Sequence, residues 1–186
     1  MTELPRNRLV LAVVFGGVAA LAGVSGFYWS RGTISGARQD TVAALHGLAL
    51  PDAAGKLQSL AQWDNKVLII NFWATWCAPC REEMPILHKI GQRYASNGVQ
   101  VVGIAVDSIQ NVADFLKNIK VGYPLLIGGI DAIDLARKLG NKSGALPYTL
   151  VLDRNGRLLT TRLGALSEAE LEILIRPVLT KSEGAN

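Results

Sequence analysis

Only two of the 186 residues are cysteine, Cys77 and Cys80, and only two are histidine, His46 and His88. An exported domain is free to use structural disulfides, but this chain has no cysteine left over for a framework of them. A bridge between residues this close constrains almost no chain, so it would add little stability. A zinc centre needs four ligands and would have to recruit both histidines. Charge is also sparse and nearly balanced. The formal net charge is +4. Residues 1–40 hold Arg6, Arg8, Arg31 and Arg38 against Glu3 and Asp40, so the remainder has 15 basic and 13 acidic side chains, net +2. That balance gives no case for nucleic-acid binding. There is no internal repeat and no long low-complexity run. Stability must therefore come from an ordinary apolar core, which roughly 140 residues are enough to build.

The largest local absence is of charge between Leu9 and Trp29, a run of 21 residues. It raises the mean hydropathy to +0.25 and is long enough to cross a bilayer as a helix. Arg6 and Arg8 precede it, and Phe27, Tyr28 and Trp29 close it, as expected of a spanning helix. Because the stretch is apolar on every face, a buried core helix is disfavoured. A cleaved signal is the alternative, with Ala20-Leu21-Ala22 as the small-residue site. Either reading exports the rest of the chain. Arg31 and Arg38 on the far side weaken the charge asymmetry that would orient it. The expected organisation is a cytoplasmic tail over 1–8, a transmembrane anchor over 9–29, a polar linker over 30–40, one domain over 41–181 and a tail over 182–186.

Within that domain, Leu45 to Leu50 alternates weakly and reads as a strand, Pro51 to Gly55 as a turn, and Leu57 to Leu60 as the return strand. Val67 to Trp73 is almost continuously apolar, the pattern of a strand buried on both faces. From Cys77 to about Tyr94 the spacing is helical. Met84, Leu87, His88 and Gly91 lie on the Cys80 face, and Pro85 is expected to kink the helix. A second buried strand runs from Val99 to Val106. A helix follows over Val112–Ile119, a short strand over Leu125–Ile127 and a helix over Ile130–Leu139. Asp153-Arg154-Asn155-Gly156 joins the hairpin Thr149–Leu152 and Leu158–Arg162. Ser167 and Glu170 form a capping box for the final helix, to Leu179. Strands alternating with helices predict an α/β domain, a mixed sheet covered on both faces.

Cys77 and Cys80 fall where the first buried strand runs into its helix. Two thiols separated by two residues can close a disulfide without moving the backbone. At a helix start the unpaired N–H groups and the helix dipole favour the first thiolate, the attacking species in disulfide exchange. Cys77 is thus expected to be the exposed nucleophile and Cys80, one turn on, the buried resolving thiol. Pro79 removes a donor that the helix start cannot use. Structural thiols and metal delivery are the competing roles. A peroxidase reading fails, because neither cysteine follows Pro-x-x-x-Thr/Ser-x-x-Cys.

The segment Ile69-Ile70-Asn71-Phe72-Trp73-Ala74-Thr75-Trp76-Cys77-Ala78-Pro79-Cys80-Arg81-Glu82-Glu83-Met84-Pro85 resembles the active-site segment of the TlpA/ResA-like membrane-anchored thioredoxin family. The resemblance runs from about Leu45 to the last helix. It implies a thioredoxin-like fold with an N-terminal β-hairpin and a central α/β insert, about Ile109 to Asn141, preceded by one transmembrane helix. Ala145-Leu146-Pro147-Tyr148-Thr149 resembles the family's cis-proline loop, which makes Pro147 the cis-proline and the Leu146 backbone a pairing site for a substrate strand. Trp76 would belong to the same substrate-binding surface, while Phe72 and Trp73 pack in or near the core. Thioredoxin itself has a buried aspartate where this chain has Asn71. The resemblance gives the proton-handling role to Glu83, three residues after Cys80 and on the same side of the helix.

The implied activity is thiol-disulfide oxidoreduction by Cys77, Cys80 and Glu83, with no cofactor and no metal. Implied partners are protein disulfides outside the cytoplasmic membrane, of the apocytochrome c or copper-site type. A membrane thiol carrier of the DsbD/CcdA type is the implied electron donor. The rival readings are a disulfide donor or isomerase, and a copper-binding chaperone using the same pair.

Overall fold

The computed structural model describes residues 39–179. The expected tails, the 9–29 anchor and the linker up to residue 38 lie outside the described residues. Among the described residues no helix is long and apolar enough to cross a membrane.

Helix α1, described over residues 39–47, corrects the strand expected from Leu45. Val42 and Leu45, three residues apart on one helix face, are both buried. The Gln39 side chain donates to the Gly156 carbonyl at 2.9 Å and accepts from the Leu158 N–H at 3.0 Å. Packing and contacts more than 110 residues away in sequence outweigh a weak local alternation. Only Ala49–Pro51 (β1) remains extended, and it pairs antiparallel with Leu57–Ser59 (β2). Asp52 holds the intervening turn, accepting from the N–H groups of Ala54 and Lys56.

Val67–Trp73 (β3) is buried at every residue. It is the central strand of a five-stranded sheet with Val99–Ala105 (β4), Leu125–Ile127 (β5), Tyr148–Leu152 (β6) and Leu158–Leu163 (β7), in the order β5-β4-β3-β6-β7. The β3–β4 and β4–β5 pairs are parallel, and the β3–β6 and β6–β7 pairs antiparallel. The helices are Ala78–Arg93 (α2), Ile109–Leu116 (α3), Asp131–Lys138 (α4) and Glu168–Leu179 (α5). Thus α3 starts and ends three residues before the expected Val112–Ile119. The β1–β2 hairpin touches the sheet at its β5 edge through an Asp52–Leu126 bridge, which limits the exposure of that edge.

Side chains alternate across β3. Val67, Ile69 and Trp73 join α2, α5 and Val112 of α3 in one core cluster. Leu68, Ile70 and Phe72 join α1 and α4 in a second cluster on the opposite face. Helix α2 runs unbroken through Pro85. Ser167 caps α5 as expected: its hydroxyl accepts from the Glu170 N–H at 3.3 Å, and Glu170 accepts from the Ser167 N–H at 2.9 Å.

Candidate active site

The pair Cys77–Cys80 is a disulfide with a Cα–Cα distance of 5.3 Å. Cys77 is the N-cap of α2, and its sulfur accepts from the Cys80 N–H at 3.3 Å. Pro79 lies in the first turn of the helix, where its missing N–H costs nothing. Cys77 is 5% exposed and Cys80 0%. The relative order is the expected one, but the exposed nucleophile is not: in the oxidised protein both sulfurs belong to the core cluster beneath α2.

Asp107, just beyond β4, clamps the loop that delivers Cys77. It accepts from the Thr75 N–H at 3.1 Å, the Thr75 hydroxyl at 2.5 Å, the Ser108 N–H at 2.9 Å and the Asn111 amide at 2.7 Å. Burial alone would push its carboxyl upward, but the hydrogen bonds from Thr75, Asn111 and Ser108 outweigh this and hold it below its ordinary value.

Glu83 follows Cys80 by three residues on α2 and is 1% exposed. Its Oε2 accepts from Asn71 Nδ2 at 3.3 Å, and its Oε1 from the Leu166 N–H at 3.2 Å. Asn71 also donates to the Thr149 hydroxyl at 3.0 Å. Asn71 and Thr149 are cross-strand partners on β3 and β6, and both occupy the α2 face of the sheet. Burial raises the Glu83 carboxyl to about 7, against the smaller lowering effect of the Leu166 and Asn71 hydrogen bonds. A carboxyl poised there can take or give a proton near neutrality. Asn71, the departure from thioredoxin's aspartate, here holds the carboxylate.

The Leu146–Pro147 peptide bond is cis, the isomer that the resemblance implies. Phe72 of β3 is in register with Tyr148 of β6, so the Pro147 loop and the loop bearing Cys77 leave the same end of the sheet. Asn141 clasps the loop from below: its amide donates to the Ala145 carbonyl at 2.7 Å and accepts from the Ser143 hydroxyl at 3.0 Å. Leu146 takes no part in that clasp. Trp76, the residue before Cys77, is 66% exposed. Trp73 is fully buried, its indole 5.3 Å from the Phe115 ring.

The histidines go elsewhere. His46 faces Asp64 at 3.2 Å, and the His88 imidazole fills the space that a Cβ at Gly122 would take. Among the described residues no cluster of three histidine, cysteine or acidic side chains could hold a metal ion. Sequence reasoning missed Thr149, Leu166, Asn141 and the clamping role of Asp107. Only Asp107 carried a usable signal, as an acidic residue at the carboxyl end of a buried strand, where α/β sheets collect functional groups.

A family model described as Redoxin matches residues 36–175. Thiol-disulfide oxidoreductase ResA of Bacillus cereus is 27% identical over 173 residues, covering 91% of this chain and 95% of that protein. Thioredoxin-like protein YneN of Bacillus subtilis is 32% identical over 130 residues, covering 67% and 72%. Among solved structures, a thiol:disulfide interchange protein of the thioredoxin family from Chlorobium tepidum superposes with a TM-score of 0.60 at 29% identity, covering 71% of this chain and 92% of that one. A secreted thiol-disulfide isomerase from Corynebacterium glutamicum gives 0.64 at 27% identity, covering 73% and 85%.

Proposed function

Because the chain belongs to the redoxin family and is a thiol-disulfide oxidoreductase of the ResA/DsbE type, we propose that it reduces selected protein disulfides outside the cytoplasmic membrane, tethered there by residues 9–29. The observation that carries this reading is the Cys77–Cys80 disulfide at the start of α2 with a buried carboxyl, raised to about 7, on the same helix face.

In the reduced enzyme the Cys77 thiolate attacks a target disulfide. A mixed disulfide forms and the first target sulfur leaves. The N-terminal end of α2 stabilises the attacking anion. The Glu83 carboxylate takes the Cys80 proton, and the Cys80 thiolate then attacks the Cys77 sulfur. The enzyme disulfide closes and the target leaves with both sulfurs reduced. Trp76 and the Leu146 backbone beside Pro147 hold the target segment, Leu146 by strand pairing.

An oxidising compartment would soon exhaust a reductant, so the enzyme needs recharging. A membrane thiol carrier of the DsbD/CcdA type is the proposed donor, and apocytochrome c cysteines or copper-site proteins are the proposed targets. Cys80→Ser is the direct test. Expressed in cells, it should accumulate a mixed disulfide through Cys77, and mass spectrometry of the trapped species would name the partner. A reduction potential as high as that of strong disulfide donors, ~−120 mV, would reverse the proposed direction of electron flow.

A further inference from the structure

Both oxygens of the buried Glu83 carboxyl lead back to the Pro147 loop, the proposed seat of the target. On one side, Oε2 accepts from the Asn71 amide, which also donates to the Thr149 hydroxyl, two residues after Pro147. On the other, Oε1 accepts from the Leu166 N–H at 3.2 Å. Two residues before Leu166, the Gly164 N–H donates to the Pro147 carbonyl at 2.9 Å. That bond carries the β6–β7 ladder one step past its last pair, Tyr148 with Leu163, and onto Pro147 itself. The two donors, one held by the loop and the other by the carboxyl, are joined by two residues of backbone, which span about 7 Å at full extension.

Gly164 makes the turn between them. Its φ is +93°, a conformation that a glycine adopts far more readily than any other residue. A Cβ there would meet nothing within 4 Å, so the backbone path, not space, calls for glycine. Leu166 is buried in the core cluster of α2 and α5, and Ser167 then caps α5. The segment is thus pinned to Pro147 at one end and to α5 at the other. Of the two donors to Glu83, the Leu166 N–H lowers the carboxyl more than the Asn71 amide does. As a main-chain group, it goes where the turn and its anchors put it.

Charged neighbours do not take over this role. None stands on β3, β4, β6 or residues 163–166. Glu168 and Glu172 of α5 face α2 but pair with Lys89 and Arg93. Asp107, past β4, is taken up by Thr75, Ser108 and Asn111. Tyr123, on the connection between α3 and β5, stays protonated, because burial and in smaller part the Glu83 charge push its phenol well above the ordinary value. On α2 itself Arg81 and Glu82 are exposed and His88 packs at Gly122. The two cysteines complete the set.

We propose that Gly164 is a positioning residue: its turn, anchored on the Pro147 carbonyl, holds the Leu166 N–H on Glu83 and keeps the base for Cys80 in its proton-accepting form. The inference rests on the reading of Glu83 as that base. A donor to a carboxyl favours the ionised form over the acid. Glu83 is therefore ready to take the Cys80 proton at a lower pH than burial alone would allow.

The test uses the full chain, reduced and then mixed with oxidised glutathione. Closure of the Cys77–Cys80 disulfide is followed as a function of pH, and the quantity read is the midpoint of the rise in rate that Glu83→Gln abolishes. Gly164→Ala adds one carbon in open space and strains the turn. It should move the midpoint upward by about half a pH unit to one unit, a change in proton affinity of up to about tenfold. Gly164→Asn tolerates positive φ better and should move it the same way by less. Gly156→Ala is the matched control, at φ +70° in the β6–β7 turn at the opposite end of the sheet, with His46 at 3.7 Å as the nearest atom to the new carbon. It should strain a turn without moving the midpoint. A Gly164→Ala profile lowered at every pH around an unmoved midpoint would overturn the positioning role. A shift matched by Gly156→Ala, or one that persists in the Glu83→Gln background, would overturn it too. If Gly164→Ala does not fold, Gly164→Asn carries the measurement, and an unmoved midpoint there has the same force. If Glu83→Gln keeps the wild-type profile, the base assignment itself fails and the positioning role falls with it.

Discussion

Glu83 gives the most direct thermodynamic test of the site. Its carboxyl ordinarily titrates at 4.5 and is raised to about 7 in the folded protein. The native state therefore holds a proton that the unfolded chain has already released. The sign follows from linkage: wherever the native state binds more protons, stability falls as pH rises. Below pH 4.5 both states are protonated and Glu83 adds no pH dependence. Between 4.5 and about 7 the folded protein loses stability, and above 7 the loss is complete. At about 1.4 kcal/mol for each tenfold change, it amounts to about 3 kcal/mol. Glu83→Gln removes the ionisation while keeping the hydrogen bonds available. The Leu166 N–H retains an acceptor, and once the Asn71 amide turns over, the new amide can donate to Asn71 Oδ1, which in the wild type is buried without a partner. Urea unfolding of the oxidised wild type and Glu83→Gln should therefore agree in slope outside this window and diverge inside it. The wild-type midpoint should fall by about 1–2 M relative to the variant between acid and mildly alkaline pH, taking a slope of ~2 kcal/mol per M. Other groups titrate in both proteins and cancel in the difference. Parallel stability curves across the window would refute the claim that burial raises this carboxyl.

Asn71→Asp sets a second carboxylate beside Glu83 Oε2, now 3.3 Å from the Asn71 amide. The pair should titrate in two coupled steps, with the upper one above about 7, so the activity of the base should move to higher pH in a pH–rate profile. Asp107→Ala removes the acceptor of four hydrogen bonds around Thr75, Ser108 and Asn111. It should cost about 2–3 kcal/mol in denaturant unfolding and slow the attack by Cys77, because the loop carrying it is released. Trp76→Ala should leave stability within ~0.5 kcal/mol, as for an exposed side chain, yet raise KM for protein substrates by about 30-fold if Trp76 is a binding hot spot worth ~2 kcal/mol. Small disulfides should react with that variant at the wild-type rate.

Much of the scaffold was readable because its signals are local. The unbroken apolar run Val67–Trp73 marks the central strand, Leu125–Ile127 the short strand β5, and Asp153–Gly156 the β6–β7 turn. Ser167 with Glu170 marks the start of α5. Where the local signal was weak, tertiary contacts decided. The Leu45–Leu50 alternation suggested a strand, but residues 39–47 are helical, with Gln39 tied to the β6–β7 hairpin and Val42 and Leu45 buried in the core.

The candidate site divides the same way. Sequence alone determined which thiols can react, since there are only two. Their spacing and position at a strand-to-helix junction put them at a helix start, where the chain's own backbone favours a thiolate. Sequence also singled out Glu83, because helical periodicity puts it on the Cys80 side. What that carboxyl can do was decided by the tertiary structure. Its burial and its partners come from Asn71, Thr149 and Leu166, which are 12, 78 and 83 residues away from the groups they bond. A carboxyl's proton affinity depends on the solvent removed and the donors brought near. Neither exists until the sheet, α2 and the start of α5 have closed around it.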